Sequence, residues 1–85
     1  MAAPPRNTPL SAEQRRTLAL LVSNPPGVIE ELLVLAHGFN REMIAGLVVE
    51  GLATARQDIL VASDGSMVDL VRIRISDAGR RALEG

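Results

Sequence analysis

The hydrophobic pattern of this chain changes its period near residue 53. Before that point apolar residues recur at helical spacing, whereas in residues 54–62 and 67–75 they are β-branched and roughly alternate with polar residues. These two segments flank Asp64-Gly65, and an Asp-Gly pair between alternating segments is a strong signal for a β-hairpin. We therefore expect an α+β fold, mostly helical, in which a helical first half leads into a two-stranded hairpin.

Local signals place three helices before the hairpin and one after it. Ser11 followed by Gln14 is a capping-box pattern for the first helix, and Asn40 and Ser76 are candidate N-caps of the third and last helices. Only residues 37–39 separate the second helix from the third, which predicts a helix-turn-helix pair. The predicted helices lie at 12–23, 28–36, 41–51 and 77–84, and the predicted strands at 54–62 and 67–75. The pattern leaves the hairpin register open, and with it the face that carries the hairpin arginines.

Length and composition limit the architecture and the compartment. A chain of 85 residues is enough for one domain, which we place at residues 10–85, after a Pro-rich, flexible arm at residues 1–9. The absence of cysteine excludes disulfides and thiolate metal sites, and it indicates a reducing compartment, so we expect a cytoplasmic protein. No stretch approaches the roughly 20 apolar residues of a membrane span, so no membrane partner is expected.

The sequence offers no set of residues for catalysis or metal binding. His37 is the single histidine, and the aspartates do not have the spacing of a calcium loop. Neither a nucleophile-base pair nor a Gly-rich phosphate loop is present. We therefore expect a binding module and not an enzyme, with no cofactor and no metal.

Residues from about Ser11 to Leu83 resemble the winged helix-turn-helix superfamily. The segment GVIEELLVLAHGFNREMIAGLVVEGLAT, residues 27–54, is similar to its helix-turn-helix, and IRISDAGRRAL, residues 73–83, is similar to the end of MarR-type regulators. The resemblance implies three helices, a hairpin wing and a closing helix, and a DNA-binding transcriptional regulator. The long helices through which MarR-type proteins dimerise are not among these residues, so that mode of dimerisation is not implied.

In this superfamily the third helix enters the major groove and the wing contacts the minor groove or phosphates. The resemblance therefore implies double-stranded DNA as a partner, contacted by Arg41 on the third helix and by three hairpin residues, Arg56, Arg72 and Arg74. The hairpin arginines also have a simpler interpretation, in which they bind nothing. Arginines at alternate positions are typical of the solvent face of a strand, and Asp58 and Asp69 balance their charge.

The third helix favours a different kind of partner. Its predicted exposed face carries no Arg, Lys, Asn or Gln, and residues 25–52 have a net charge of −3, so base readout from this helix would be poor. The alternative function is a protein-interaction or homodimerisation domain. Its candidate contacts are small or apolar residues of that helix, together with one leucine outside the apolar stripe of the first helix: Leu20, Met43, Ala45, Gly46 and Val49.

Overall fold

The structure, a computed structural model, describes residues 9–84. Its elements, in chain order, are α1 (Ala12–Val22), β1 (Val28–Ile29), α2 (Glu30–Leu35), α3 (Arg41–Val49), β2 (Ala53–Val61), β3 (Met67–Ile75) and α4 (Asp77–Glu84). The α+β class is confirmed, and the element order is compatible with a winged-helix-like layout. The predicted arm at residues 1–9 lies outside the described residues except for Pro9.

The predicted helix caps are confirmed. Ser11 Oγ accepts the backbone N–H of Gln14 at 3.1 Å, while Gln14 Oε1 accepts the backbone N–H of Ser11 at 2.9 Å. Asn40 accepts two backbone N–H groups from the first turn of α3, and Ser76 Oγ accepts one from α4 at 3.0 Å. Each cap satisfies N–H groups that a helix leaves without an internal partner, so these helix starts are set locally.

The predicted helix at residues 28–36 is wrong at its start. Val28–Ile29 forms β1, which pairs antiparallel with β3, and the helix begins only at Glu30. Gly27, at φ 101°, brings the chain so close to β3 that a Cβ there would lie 2.8 Å from the carbonyl oxygen of Ile73. Two β-branched residues that follow this turn fit a half-buried strand better than a helix. The sheet therefore has three strands in the order β1-β3-β2, not the predicted two.

The register of the hairpin separates its two faces. Strands β2 and β3 pair continuously from Ala53 opposite Ile75 to Val61 opposite Met67. Ala53 and Ile73 are buried and define the inner face, which packs on the helices. Because residues directly opposite each other share a face, the three hairpin arginines lie together on the outer face, with Arg56 directly opposite Arg72.

The core lies between the helices and the base of the sheet. Its buried apolar residues are Leu18, Leu21, Leu33, Ile44, Leu47, Leu52, Ala53 and Ile73. Gly79 lets α4 pack tightly, because a Cβ at this position would overlap the carbonyl oxygen of Leu52. Within residues 9–84, no helix combines the length and the apolar character that crossing a membrane requires.

The far end of the hairpin lies outside this core. Strand β2 is buried only at Ala53, and β3 is exposed from Met67 to Asp69. The molecule is accordingly elongated, with extents of 48 × 29 × 21 Å.

Candidate interaction surface

The hairpin turn is stabilised by its own side chains. The pairing of Ala62 with Ser66 leaves a three-residue loop, in which Gly65 has a φ of 89°. Asp64 Oδ1 accepts the hydroxyl of Ser66 at 2.7 Å and its backbone N–H at 2.9 Å, and these two bonds lower the pKa of Asp64. The turn is therefore well defined although every residue in it is exposed.

The outer face of the sheet gathers three of the four candidate DNA contacts. Arg56 faces Arg72 directly across the strands, and Arg74 lies one pleat further along β3 on the same face. The side-chain stems of Arg72 and Arg74 pass over Gly27, whose lack of a Cβ makes room for them. We call these three residues the arginine face.

Asp58 neutralises part of the arginine face. Its Oδ2 accepts the Nε–H of Arg72 at 3.1 Å, and its Oδ1 accepts the backbone N–H of Ile59 at 2.9 Å. The Ile59 N–H, and after it the Arg72 guanidinium, lower the pKa of Asp58 below its ordinary value of 3.8. The ion pair is open to solvent, so its main effect is on local charge and not on stability.

Arg41, the fourth candidate DNA contact, also has an acidic partner. Its Nη1 lies 2.5 Å from Oε1 of Glu30, in the first turn of α2. Two of the four candidate arginines, Arg41 and Arg72, are thus paired with carboxylates, whereas Arg56 and Arg74 have no ion pair within residues 9–84.

The exposed face of α3 contains only part of the predicted protein contacts. Val49 is 86% exposed, Ala45 is exposed, and Gly46 has open space where a side chain would be. Met43 is half-buried, and its sulfur lies 3.9 Å from the hydroxyl oxygen of Thr17, which donates its hydrogen to the carbonyl oxygen of Glu13. Leu20, the leucine outside the apolar stripe of the first helix, is half-buried and packs against the core, so its apolar contacts come from within the chain.

The largest exposed apolar set was not assigned from the sequence. Five large apolar side chains, each between 43% and 69% exposed, lie at the far end of the hairpin: Ile59, Leu60, Val61, Met67 and Val68. Leu60 and Val68 face each other on the outer side, and Val61 and Met67 do so on the inner side. We call residues 59–68 the hairpin end. The available signal was the run Ile-Leu-Val, which breaks the alternation and makes both faces of the strand apolar.

Strand β2 also presents an unpaired backbone edge. Leu52 accepts a bond from Ser76, and Ala62 donates one to Ser66, so residues at even positions of β2 bond to β3. The odd positions from Ala53 to Val61 direct their N–H and C=O groups away from β3, on the side where no strand formed by residues 9–84 lies. Such an edge is a template for pairing with another strand.

His37 contacts a neighbouring aromatic ring, and no other candidate functional residue is placed beside it by the described contacts. It is exposed, and its ring stacks on Phe39 with centroids 6.0 Å apart. Among the described residues, no group of three potential ligands would hold a metal ion.

No protein-family model matches this chain, and neither does any curated protein. Its function is therefore inferred from its own surface.

Proposed function

We propose that this protein is a protein-interaction domain that self-associates through the hairpin end. The observation that carries the proposal is the exposure of five large apolar side chains on both faces of that segment. Contiguous exposed apolar surface on a small protein is typical of an interaction site. Cross-strand neighbours join these side chains into one apolar patch on each face, with Val61 opposite Met67 on the inner face and Leu60 opposite Val68 on the outer face.

Association would also supply what this part of the chain lacks. Beyond Ala53 on β2 no residue is buried, so the hairpin end is held mainly by its own two strands. An isolated two-stranded hairpin is at best marginally stable in water, and burial contributes about 25 cal/mol per Å² of apolar area. Burial of the hairpin end against a partner would therefore favour the complex and also stabilise the hairpin itself.

Two isosteric substitutions distinguish the hairpin end from the exposed face of α3. Val61→Thr and Val49→Thr each replace an exposed methyl by a hydroxyl, and both residues are largely exposed, at 63% and 86%. Burying an unpaired hydroxyl costs about 1–3 kcal/mol, and 1.4 kcal/mol is about tenfold in affinity. We expect Val61→Thr to weaken self-association about tenfold or more and Val49→Thr to leave it unchanged, as measured by sedimentation equilibrium. A wild-type chain that stays monomeric at about millimolar concentration, or a loss caused only by Val49→Thr, contradicts the proposal.

A second candidate function is supported by the arginine face and the element order: a DNA-binding regulator of the winged-helix, MarR-like kind. In it, Arg56, Arg72 and Arg74, with Arg41, would contact phosphates and the minor groove. We expect such binding to fall steeply between about 50 and 200 mM salt, and Arg72→Ala to weaken binding to all duplexes about equally.

Fluorescence anisotropy with duplexes of unrelated sequence measures both effects. Val49→Arg adds a positive charge to α3, so it tightens binding if α3 meets DNA and has no effect if only the arginine face does. The absence of binding to any duplex at low salt would eliminate this candidate.

A further inference from the structure

We propose that two copies of this chain associate by pairing the free edges of their β2 strands antiparallel about a two-fold axis at Gln57, which brings Ile59, Leu60 and Val61 of the hairpin end against the partner strand. This inference rests on the proposed self-association and names the strand edge and the register through which it would occur. The two three-stranded sheets would join into one antiparallel sheet of six strands. Three features of β2 favour this arrangement: the direction of its free backbone groups, the order of its charges and the sizes of its side chains.

The backbone of β2 is suited to such a pairing at its midpoint. Gln57 is the central residue of Ala53–Val61, and it lies at an odd position, where N–H and C=O point to the free edge. An axis at Gln57 pairs it with itself and pairs Ala55 with Ile59 of the second copy, all through outward-directed groups. This axis is also the one that lets all nine residues of the strand find a partner.

The charges of β2 select the same axis. With Gln57 at the centre, Arg56 lies directly opposite Asp58 of the second copy, and this pair occurs twice by symmetry. A shift of the axis to Arg56 places two arginines face to face, and a shift to Asp58 places two aspartates face to face. Like charges directly opposite each other destabilise a strand pair, whereas opposite charges stabilise it.

Side-chain sizes agree with this register. On the inner face, Ile59 meets the exposed Ala55 of the second copy, a large residue against a small one, and Val61 lies opposite Ala53, whose own side chain is already buried in the core. On the outer face, Leu60 meets Thr54. Large-to-small matching of this kind lets facing surfaces pack without voids.

In the free chain Asp58 protects this edge. The Asp58 carboxylate accepts a hydrogen bond from the backbone N–H of Ile59, which points to the free edge, and another from the Nε–H of Arg72. Meanwhile Arg56 lies opposite the like-charged Arg72. In the dimer, Asp58 would release the Ile59 N–H to the carbonyl of Ala55 of the second copy and would bind Arg56 of that copy. The same carboxylate thus limits non-specific edge pairing and selects the partner register.

Charge reversal tests the register directly. Arg56→Asp and Asp58→Arg each place like charges face to face, so we expect each single variant to dimerise about tenfold more weakly than the wild type. A mixture of the two variants restores both opposite-charge pairs in a heterodimer, and so does the double variant Arg56→Asp/Asp58→Arg in a homodimer. Native mass spectrometry separates the heterodimer by mass, and sedimentation equilibrium gives the affinities.

Two control variants test whether the effect is specific to the free edge of β2. Arg74→Asp makes the same charge change on the same face but on β3, so it leaves the dimer intact if the inference is right. Gln57→Pro removes an N–H that points away from β3, so it keeps the hairpin ladder and removes the central bonds of the dimer. If the wild type associates and Val61→Thr weakens it, yet the mixed variants form no heterodimer, the proposed register is wrong while the proposed function stands. If the wild type does not associate at all, both fail.

Discussion

Gly79→Ala and Gly46→Ala are predicted to change stability in opposite directions, although both replace a glycine inside a helix. Alanine is favoured over glycine in a helix interior by about 1 kcal/mol. At Gly46, on α3, no atom of residues 9–84 outside its chain neighbours and the helix backbone lies within 4 Å of the new Cβ, so this gain is kept. At Gly79, on α4, the new Cβ would overlap the carbonyl oxygen of Leu52 and lie 2.8 Å from Cγ1 of Ile75.

The magnitudes follow from these contacts. Overpacking a buried site costs about 1–3 kcal/mol, and the upper end applies at Gly79 because the obstacle is backbone and cannot rotate away. After subtraction of the helix preference, we expect Gly79→Ala to lower the free energy of unfolding by about 2 kcal/mol. Gly46→Ala should raise it by about 0.5–1 kcal/mol. In a domain of this size 1 kcal/mol corresponds to about 4–8 °C in Tm, so the two variants are well separated.

Urea unfolding followed by far-ultraviolet circular dichroism measures both effects. All chains are compared at one protein concentration, because association adds to the apparent stability. An unchanged m-value shows that the midpoint shift reports stability. The reasoning is refuted if Gly79→Ala is as stable as the wild type, or if both variants shift in the same direction.

Three further predictions concern the hairpin and the first helix cap. Because Asp58 has a lowered pKa, its interactions stabilise the fold above about pH 4 and lose this effect as the pH falls through the lowered pKa. A carboxyl NMR titration should give a midpoint below 3.8, and Asp58→Asn should make the free energy of unfolding depend less on pH in the acid range. Gly65→Ala, at a φ of 89°, should cost about 1–2 kcal/mol in urea unfolding, and an unchanged midpoint would show that the turn rearranges. Ser11→Ala should cost about 1 kcal/mol and Ser11→Asp much less, since aspartate also caps; equal losses would contradict the capping argument.

Most of the local structure followed from the sequence. Ser11, Asn40 and Ser76 begin helices as expected, and β3 and α4 have the predicted bounds. These features depend on groups a few residues apart, such as a hydroxyl and the N–H that it caps, so neighbouring residues contain all the information.

The candidate site was only partly predictable. The hairpin arginines were recognisable as residues, but their common face depends on the register, and the register depends on which residues the core buries. The hairpin end was missed because its apolar residues look like core residues until the structure shows that no helix covers them.

The sequence by itself determined the order of the four helices and the two hairpin strands, the helix caps and the position of the hairpin turn, because each of these depends on interactions within one short segment. Tertiary structure alone decided that Val28–Ile29 is a strand, that Gly79 must lack a side chain and that β2 has a free edge. The first two depend on segments more than 20 residues away in the chain, since Val28–Ile29 pairs with β3 and Gly79 packs on Leu52, and the third depends on the order of all three strands in the sheet. Contacts of that kind are set when the core closes, so no local pattern contains them.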